Sequence, residues 1–328
     1  MEWLAHNRVL GFSDFLLFSN DCDDGSDLLL DAMDRAGLIT HIRNDVDPDR
    51  GPQWSALRSK PLRKALKSAD WAAHLDVDEF LVVHQGDHRL PALLDPLAEV
   101  DAISVPWRFF GNSGVDTFVD QPVAAQFTTS SPEGILFPRQ TLMYKTLFRP
   151  GQFKKPGIHA PKPRDDITLD WRNGNGAAMS SHFDPQRSVM TPADAGVTLA
   201  QINHYALRSR ESFLVKSARG LPNRSDVAID LTYWVLRNFN SRTDLSGLYL
   251  ADQTAAARAE LMAIPDIAKA HAACCVAHRD RANALLQTAA GAQLYAAITV
   301  AGSSVAPSQQ ETMRIYGAYQ AIFGKTRK

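Results

Sequence analysis

The stretch Ala72-Ala73-His74-Leu75-Asp76-Val77-Asp78-Glu79-Phe80-Leu81-Val82 holds the densest chemistry in the chain. An apolar run ends in three carboxylates within four positions, and apolar residues resume at once. In an extended segment, period-2 alternation puts Asp76 and Asp78 on one face. Two like charges so placed repel unless a cation or hydrogen-bond donors sit between them. A short Asp-x-Asp at a strand end, fixed by hydrophobic flanks, is a half-site for a hard divalent cation. The bland alternative is a strand that ends in solvated acids, and the motif alone does not separate the two.

The elements that must position these residues are legible in outline. Residues 2–10 carry Trp3, Leu4, Ala5, Val9 and Leu10 at helical spacing, with Gly11 as the stop. Residues 14–19 form a continuous apolar strand of the kind buried on both faces. A polar turn, a helix over 27–36 ended by Gly37, and a strand over 38–42 follow. Strand, helix, strand in this order predicts a βαβ unit and a parallel sheet. A helix is expected over 55–68, with Lys60, Arg63, Lys64 and Lys67 on one solvated face. The acidic strand comes next, then a helix over 91–99 with proline in its first turn and a strand over 101–110. Residues 111–138 and 150–197 read as loops, separated by a strand over 141–148 that contains Lys145. A strand over 197–205 and helices near 209–219 and 228–240 complete this part. From Leu245 onward the sequence turns alanine-rich and strand-free, which predicts three or four helices. The basic end Lys325-Thr326-Arg327-Lys328 reads as a frayed terminus.

The 328 residues are 45% hydrophobic, enough for one large α/β domain with an appendage or for two domains. A net charge of -1 implies no nucleic-acid partner. Cys22, Cys274 and Cys275 make neither a disulfide framework nor a zinc-spacing pattern, and they fit a reducing compartment. No apolar run reaches the roughly 18 residues of a membrane span. The start lacks a signal-peptide pattern. Cytoplasmic residence is the resulting expectation, and a peripheral membrane contact stays open.

Four blocks resemble the family 2-like glycosyltransferases, in the group that borders family 92. Asn20-Asp21-Cys22-Asp23-Asp24-Gly25-Ser26 resembles the family's Asn-Asp-x-Ser-x-Asp-Gly-Thr element. Trp71 through Leu81 resembles its tryptophan-led Asp-x-Asp-Glu-Phe segment. Trp107-Arg108-Phe109-Phe110-Gly111-Asn112-Ser113-Gly114 resembles the element that follows it. Asn203-His204-Tyr205, with Arg208 to Phe213 and Lys216 to Gly220, resembles its closing segment. The blocks stand in family order over roughly residues 2–220. There are two departures. Cys22 replaces the usual serine, and the sequence enters at Met1-Glu2-Trp3, inside the helix that normally follows a first strand. Met1 is therefore read as an internal start or a truncation.

The resemblance implies a GT-A (Rossmann-like) fold over 1–240, lacking the first strand, and a helical extension over 241–328. It implies transfer of a sugar from a nucleotide-sugar donor to a hydroxyl of a saccharide or glycoconjugate acceptor, with inversion. It places Asn20, Asp24, Asp76, Trp107 and Lys145 around the donor. It gives Asp76, Asp78 and Glu79 the catalytic positions, and makes Asp78 and His204 ligands to Mn2+ or Mg2+. Oxygen ligands with one imidazole suit either ion. Trp107 serves equally as a ring for stacking or as a core residue. Lys145, Arg208 and Arg210 can face phosphates, His159 a substrate, and Asp116 or Glu133 can supply an acceptor-activating base. Two rival readings remain from the residues alone: a metal-dependent phosphohydrolase, and a degenerate binding or interaction module.

Overall fold

The computed structural model describes residues 1–220 and 228–323. The basic end at 325–328 lies outside them. Helix α1 (Glu2–Leu10) stops at Gly11, which takes the left-handed conformation at φ 119°. Strand β1 (Leu16–Ser19), helix α2 (Ser26–Arg35) and strand β2 (Thr40–Arg43) make the expected βαβ unit. β1 and β2 pair in parallel, Leu16 opposite Thr40, but as a two-stranded sheet of their own.

The helix expected over 55–68 is two short ones, α3 (Pro52–Leu57) and α4 (Lys60–Ala65). Pro61 has no N–H to continue a helix and disfavours helical geometry at the residue before it. Ser59 instead caps α4 by accepting the Leu62 N–H at 3.3 Å.

The chain then builds strand β3 (Ala72–Ala73), strand β4 (Glu79–Val83), helix α5 (Leu90–Leu94) and strand β5 (Ala102–Phe109). Helix α6 (Val123–Gln126), strand β6 (Thr129–Ser130) and strand β7 (Tyr144–Phe148) follow. The stretch read as irregular holds three short strands: β8 (Phe153–Lys155), β9 (Lys162–Pro163) and β10 (Trp171–Asn173). Strand β11 (Ala200–His204) closes the main sheet, whose order is β3-β7-β5-β11-β4 with β10 also paired to β5. That sheet is mixed, not parallel. β5 runs parallel to β11 and β10 and antiparallel to β7, and β4 runs antiparallel to β11. Leu81, Val83, Ile103, Val105, Leu147 and Ile202 form its core.

Consecutive strands β3 and β4 stand at opposite edges of this sheet. The acidic segment between them therefore crosses the ends of β7, β5 and β11. Ala73 is level with Ile103 and Glu79 with Phe109, so four strand spacings of about 4.8 Å across and six residues of about 3.3 Å along make a flat path of about 28 Å. The connecting residues, with their last part folded into a turn from Asp76 to Glu79, reach only about 17 Å. The sheet must curl for the crossing to close.

Helix α7 (Arg210–Arg219), helix α8 (Leu231–Val235) and strand β12 (Arg242–Thr243) lead into four helices: α9 (Ala251–Met262), α10 (Pro265–Leu286), α11 (Ala289–Ala301) and α12 (Gln309–Phe323). Leu261 and Ile267 enter a core made by Leu4, Ala5, Phe15, Leu29 and Met33 of the N-terminal part. Ile298 enters another with Leu207, Phe213 and Trp234. Leu261, Ile267 and Ile298 of the alanine-rich helices are thus buried against residues contributed by the preceding part of the chain, from Leu4 to Trp234. No single described helix is long and apolar enough to cross a membrane.

This packing sets a measurable contrast within one helix and its neighbour. Ile267 and Ile298 are fully buried, whereas Val300 is 88% exposed. Ile267→Ala and Ile298→Ala are each expected to lower the unfolding free energy by about 2–4 kcal/mol in urea titrations. Val300→Ala should stay within about 0.5 kcal/mol. Equal small losses at all three positions would mean that the tail does not dock as described.

Candidate active site at the sheet end

The crossing segment is pinned at both ends. The Asp76 N–H donates to Glu79 Oε2 at 3.0 Å, and the Asp76 carbonyl accepts the Glu79 N–H at 3.0 Å. On the far side, the Asp78 carbonyl accepts the Tyr205 N–H at 2.9 Å. Upstream, His74 Nδ1–H donates to the Ile158 carbonyl at 3.1 Å. Trp3 of α1 donates its ring N–H to the Glu79 carbonyl at 3.0 Å.

This geometry corrects the expectation of one strand face. Val77 and Asp78 sit in a turn, and the two aspartates serve different partners. The cause is the Glu79 carboxylate, which takes the Asp76 N–H and folds the chain as it enters β4. Asp76 faces Lys145 of β7, at 3.1 Å from Oδ2 to Nζ, and accepts from Gln53 at 2.9 Å. Asp78 faces Lys216 of α7 at 3.1 Å and His204 of β11 at 3.8 Å from Oδ2 to Nε2.

Lys145 is 1% exposed yet fully satisfied. Its ammonium group also meets Glu79 Oε2 at 3.3 Å and the Ile158 carbonyl at 3.2 Å. Burial opposes its charge, but the Glu79 and Asp76 carboxylates outweigh burial and raise its pKa. Glu79 is pushed the other way. It is completely buried, and burial drives its carboxyl well above the usual range despite Lys145. Burial pushes Asp76 and Asp78 up, but their neighbours together, Lys145 foremost in one case and Lys216 in the other, outweigh it and hold both below the usual carboxylate range, so both remain ionised. His74 and His159 fall to about 4, first through burial and then through the charge on Lys145.

His204 packs at a tilt of 50° against Trp107, ring centroids 4.2 Å apart, and lies near Phe109 at 5.7 Å. Burial lowers its pKa, so the imidazole is neutral and able to ligate. Arg237 lays its guanidinium 3.6 Å over the Tyr233 ring and 5.7 Å from Phe109. Among the described residues, Glu79 Oε1, Trp107 Nε1, His204 Nδ1 and Arg237 Nε are buried without a hydrogen-bond partner. Buried orphans of this kind call for a ligand, a water or an ion. A cavity of about 330 Å³ lies beside the turn, lined by Trp3, Val77, Phe80 and Arg208 among others. Asp76, Asp78 and His204 do not line it.

The structure thus gathers Asp76, Glu79 and Lys145 into one ion group and Asp78, His204 and Trp107 into an adjoining one. Asn20 and Asp24 stand in the β1–α2 turn. Asn20 donates to Asp21 at 3.1 Å, and Asp24 accepts the Ser26 N–H at 2.9 Å. Among the described residues, no hydrogen bond joins either to the acidic turn. Asp116 is ion-paired with Arg210 and Glu133 with Arg108, the latter at 3.6 Å. His159 donates to the Tyr144 carbonyl at 3.0 Å and packs edge-on to Trp107. Sequence reasoning gave no role to Lys216 or Arg237. Lys216 stands two turns beyond the Ser209 cap of α7, and its ammonium group also donates to the Ala206 carbonyl at 2.8 Å, just after β11. Arg237 carries no local signal.

No protein-family model matches the chain, and no curated protein matches it.

Two outcomes follow from the ion group. Lys145→Met leaves two carboxylates beside each other without their cation and is expected to cost about 3–5 kcal/mol in urea unfolding. Adding Glu79→Gln should recover part of this, and a loss below about 1 kcal/mol would deny the pairing. The second concerns pH. His74 and His159 stay neutral in the fold to about 4, while the unfolded chain takes up protons from the ordinary value of 6.5. The unfolded state therefore binds more protons in that window, and stability falls as pH drops from 6.5 toward 4. The double variant His74→Gln, His159→Gln should flatten that slope. An unchanged slope would show that these imidazoles do not titrate as described.

Proposed function

We propose that the chain is a glycosyltransferase of GT-A type, moving a sugar from a nucleotide-sugar donor to a hydroxyl acceptor, with the sheet-end turn as its donor site. The observation that carries the reading is the approach of Asp78 Oδ2 to His204 Nε2 at 3.8 Å. That distance is too long for a hydrogen bond. It lies within the span of two ligand atoms each about 2.1 Å from one ion. His204 ends β11 and Phe109 ends the parallel β5, so the pair stands at the carboxyl edge of parallel strands, where open α/β sheets bind ligands.

Asp78 and His204 would hold Mn2+ or Mg2+, a donor set of hard oxygen and neutral imidazole. A bound divalent cation neutralises the diphosphate that leaves in such a reaction. Lys216 and Arg208 flank the same turn and can donate to phosphate oxygens, Arg208 now reaching the Val77 carbonyl at 3.4 Å. Asp76, held by Lys145 and Gln53, offers its remaining acceptor capacity to ribose hydroxyls. Trp107 presents an unpaired ring N–H beside His204. Asn20 and Asp24 would meet the nucleoside only if the donor reaches across to the carboxyl end of β1.

A second reading rests on one specific observation. Lys145 and Lys216 already neutralise Asp76 and Asp78, so the turn can stand as a metal-free ion network that binds without turnover. Calorimetry with uridine and guanosine diphosphates, with and without Mn2+, separates the two. Transferase chemistry expects Mn2+-dependent binding that Asp78→Ala and His204→Ala each abolish. Removing both should cost about as much as removing either, because they act as one site. Manganese-independent binding that survives His204→Ala and is lost in Lys216→Met favours the binding module.

A further inference from the structure

Helix α10 carries His271 and Cys275 four residues apart, on one face of the helix. Opposite them, the loop before α6 brings Asp120. Asp120 Oδ2 lies 3.0 Å from His271 Nε2, and His271 Nε2 lies 3.6 Å from Cys275 Sγ. One ligand atom from each residue falls within 4.8 Å of the other two. The other carboxylate oxygen of Asp120 is occupied: Arg258 of α9 donates to Oδ1 at 2.8 Å. The carboxylate is thereby oriented with Oδ2 toward the imidazole and thiol.

These separations can be compared with a tetrahedral zinc centre. With Zn–S of about 2.3 Å and Zn–N of about 2.05 Å, tetrahedral ligands stand about 3.6 Å apart from sulfur to nitrogen. Zn–O of about 2.1 Å gives about 3.4 Å from nitrogen to oxygen. The first edge is already at that length, and the second needs to open by about 0.4 Å, within the reach of one side-chain rotation. One thiolate, one imidazole and one carboxylate make a borderline-soft set that suits zinc over manganese or magnesium. All three residues line the cavity of about 330 Å³ together with Arg258 and Phe118. Three protein ligands with a fourth position facing a cavity is the arrangement of an open zinc site.

We infer that Asp120, His271 and Cys275 form a zinc site, separate from the sheet-end turn, that ties α10 to the loop before α6 and keeps one coordination position open to the cavity. Cys275 binds as thiolate, so one proton leaves for each ion taken up. Arg258 acts as a positioning residue by holding the second oxygen of Asp120. Cys274, the neighbouring thiol, faces the α2 side, with Gly25 close to its sulfur, and takes no part.

The test uses the full chain stripped with a chelator. Zinc affinity is read by competition with a chromophoric chelator, and geometry by the absorption spectrum after adding Co2+. Wild type should bind one zinc with a Kd below about 1 μM. It should give a four-coordinate cobalt spectrum with charge transfer from one thiolate. Cys275→Ser, His271→Gln and Asp120→Asn should each weaken binding by about a hundredfold or more, and Arg258→Gln by about tenfold. Cys274→Ser, Cys22→Ser and Asp78→Ala should leave it unchanged, which keeps this site distinguishable from the sheet-end one. If a ligand variant unfolds, the cobalt spectrum of wild type beside Cys274→Ser decides by itself. Absent binding, a six-coordinate cobalt spectrum, or affinity retained in Cys275→Ser overturns the site.

Discussion

Lys145 carries a positive charge into the wall of the main sheet, where only paired charges survive. Its ammonium group sits between Asp76 and Glu79 with the Ile158 carbonyl as third acceptor. Remove that cation and Glu79, at 0% exposure, faces two further carboxylates on the same short turn. The acidic segment could not then lie across the strand ends. Its crossing joins β3 at one edge of the sheet to β4 at the other, and so fixes where Asp78 stands relative to His204. One buried ion group therefore positions both the sheet and its candidate site.

The adjoining group follows the same logic with different parts. Asp78 is balanced by Lys216, whose helix is set by the Ser209 cap and by the packing of Phe213 on Trp234. Ile298 of α11 buries against that same pair. The alanine-rich helices thus reach the site indirectly, by holding α7 in place. A half-buried carboxylate whose nearest cation comes from that helix is sensitive to such placement, since removing a charge from water is costly unless the geometry is good.

Much of the architecture was legible because its causes are local. α1, the β1–α2–β2 unit, β5 and β11 are continuous apolar runs or helical repeats bounded by glycine or polar turns. What stayed hidden has distant causes. β3 pairs with β7 and β4 with β11, so the crossing between them depends on residues far along the chain. Local alternation at Asp76 and Asp78 cannot register it, and reads a turn as a strand. β6 and β8 to β10 are two or three residues long and exist only through partners elsewhere. Pro61 did break the expected helix over 55–68, a signal present in the sequence and outweighed there by charge spacing. At the site, Asp76, Asp78, Lys145 and His204 were singled out from motif and resemblance. Lys216 and Arg237 were not, since a lone cation on a helix or just past its end looks like solvated surface. Cys275 showed no zinc spacing because the third group of its cluster with His271, Asp120, comes from a loop that the fold alone brings near.

The central claim is that Asp78 and His204 share one divalent cation at the sheet end. Pulsed electron paramagnetic resonance tests it most directly, with Mn2+ and uridine diphosphate added to protein labelled with ¹⁵N-histidine. The expected result is coupling of the manganese to one imidazole nitrogen, lost in His204→Gln. Manganese bound with no histidine coupling, or coupling that persists in His204→Gln, would contradict it.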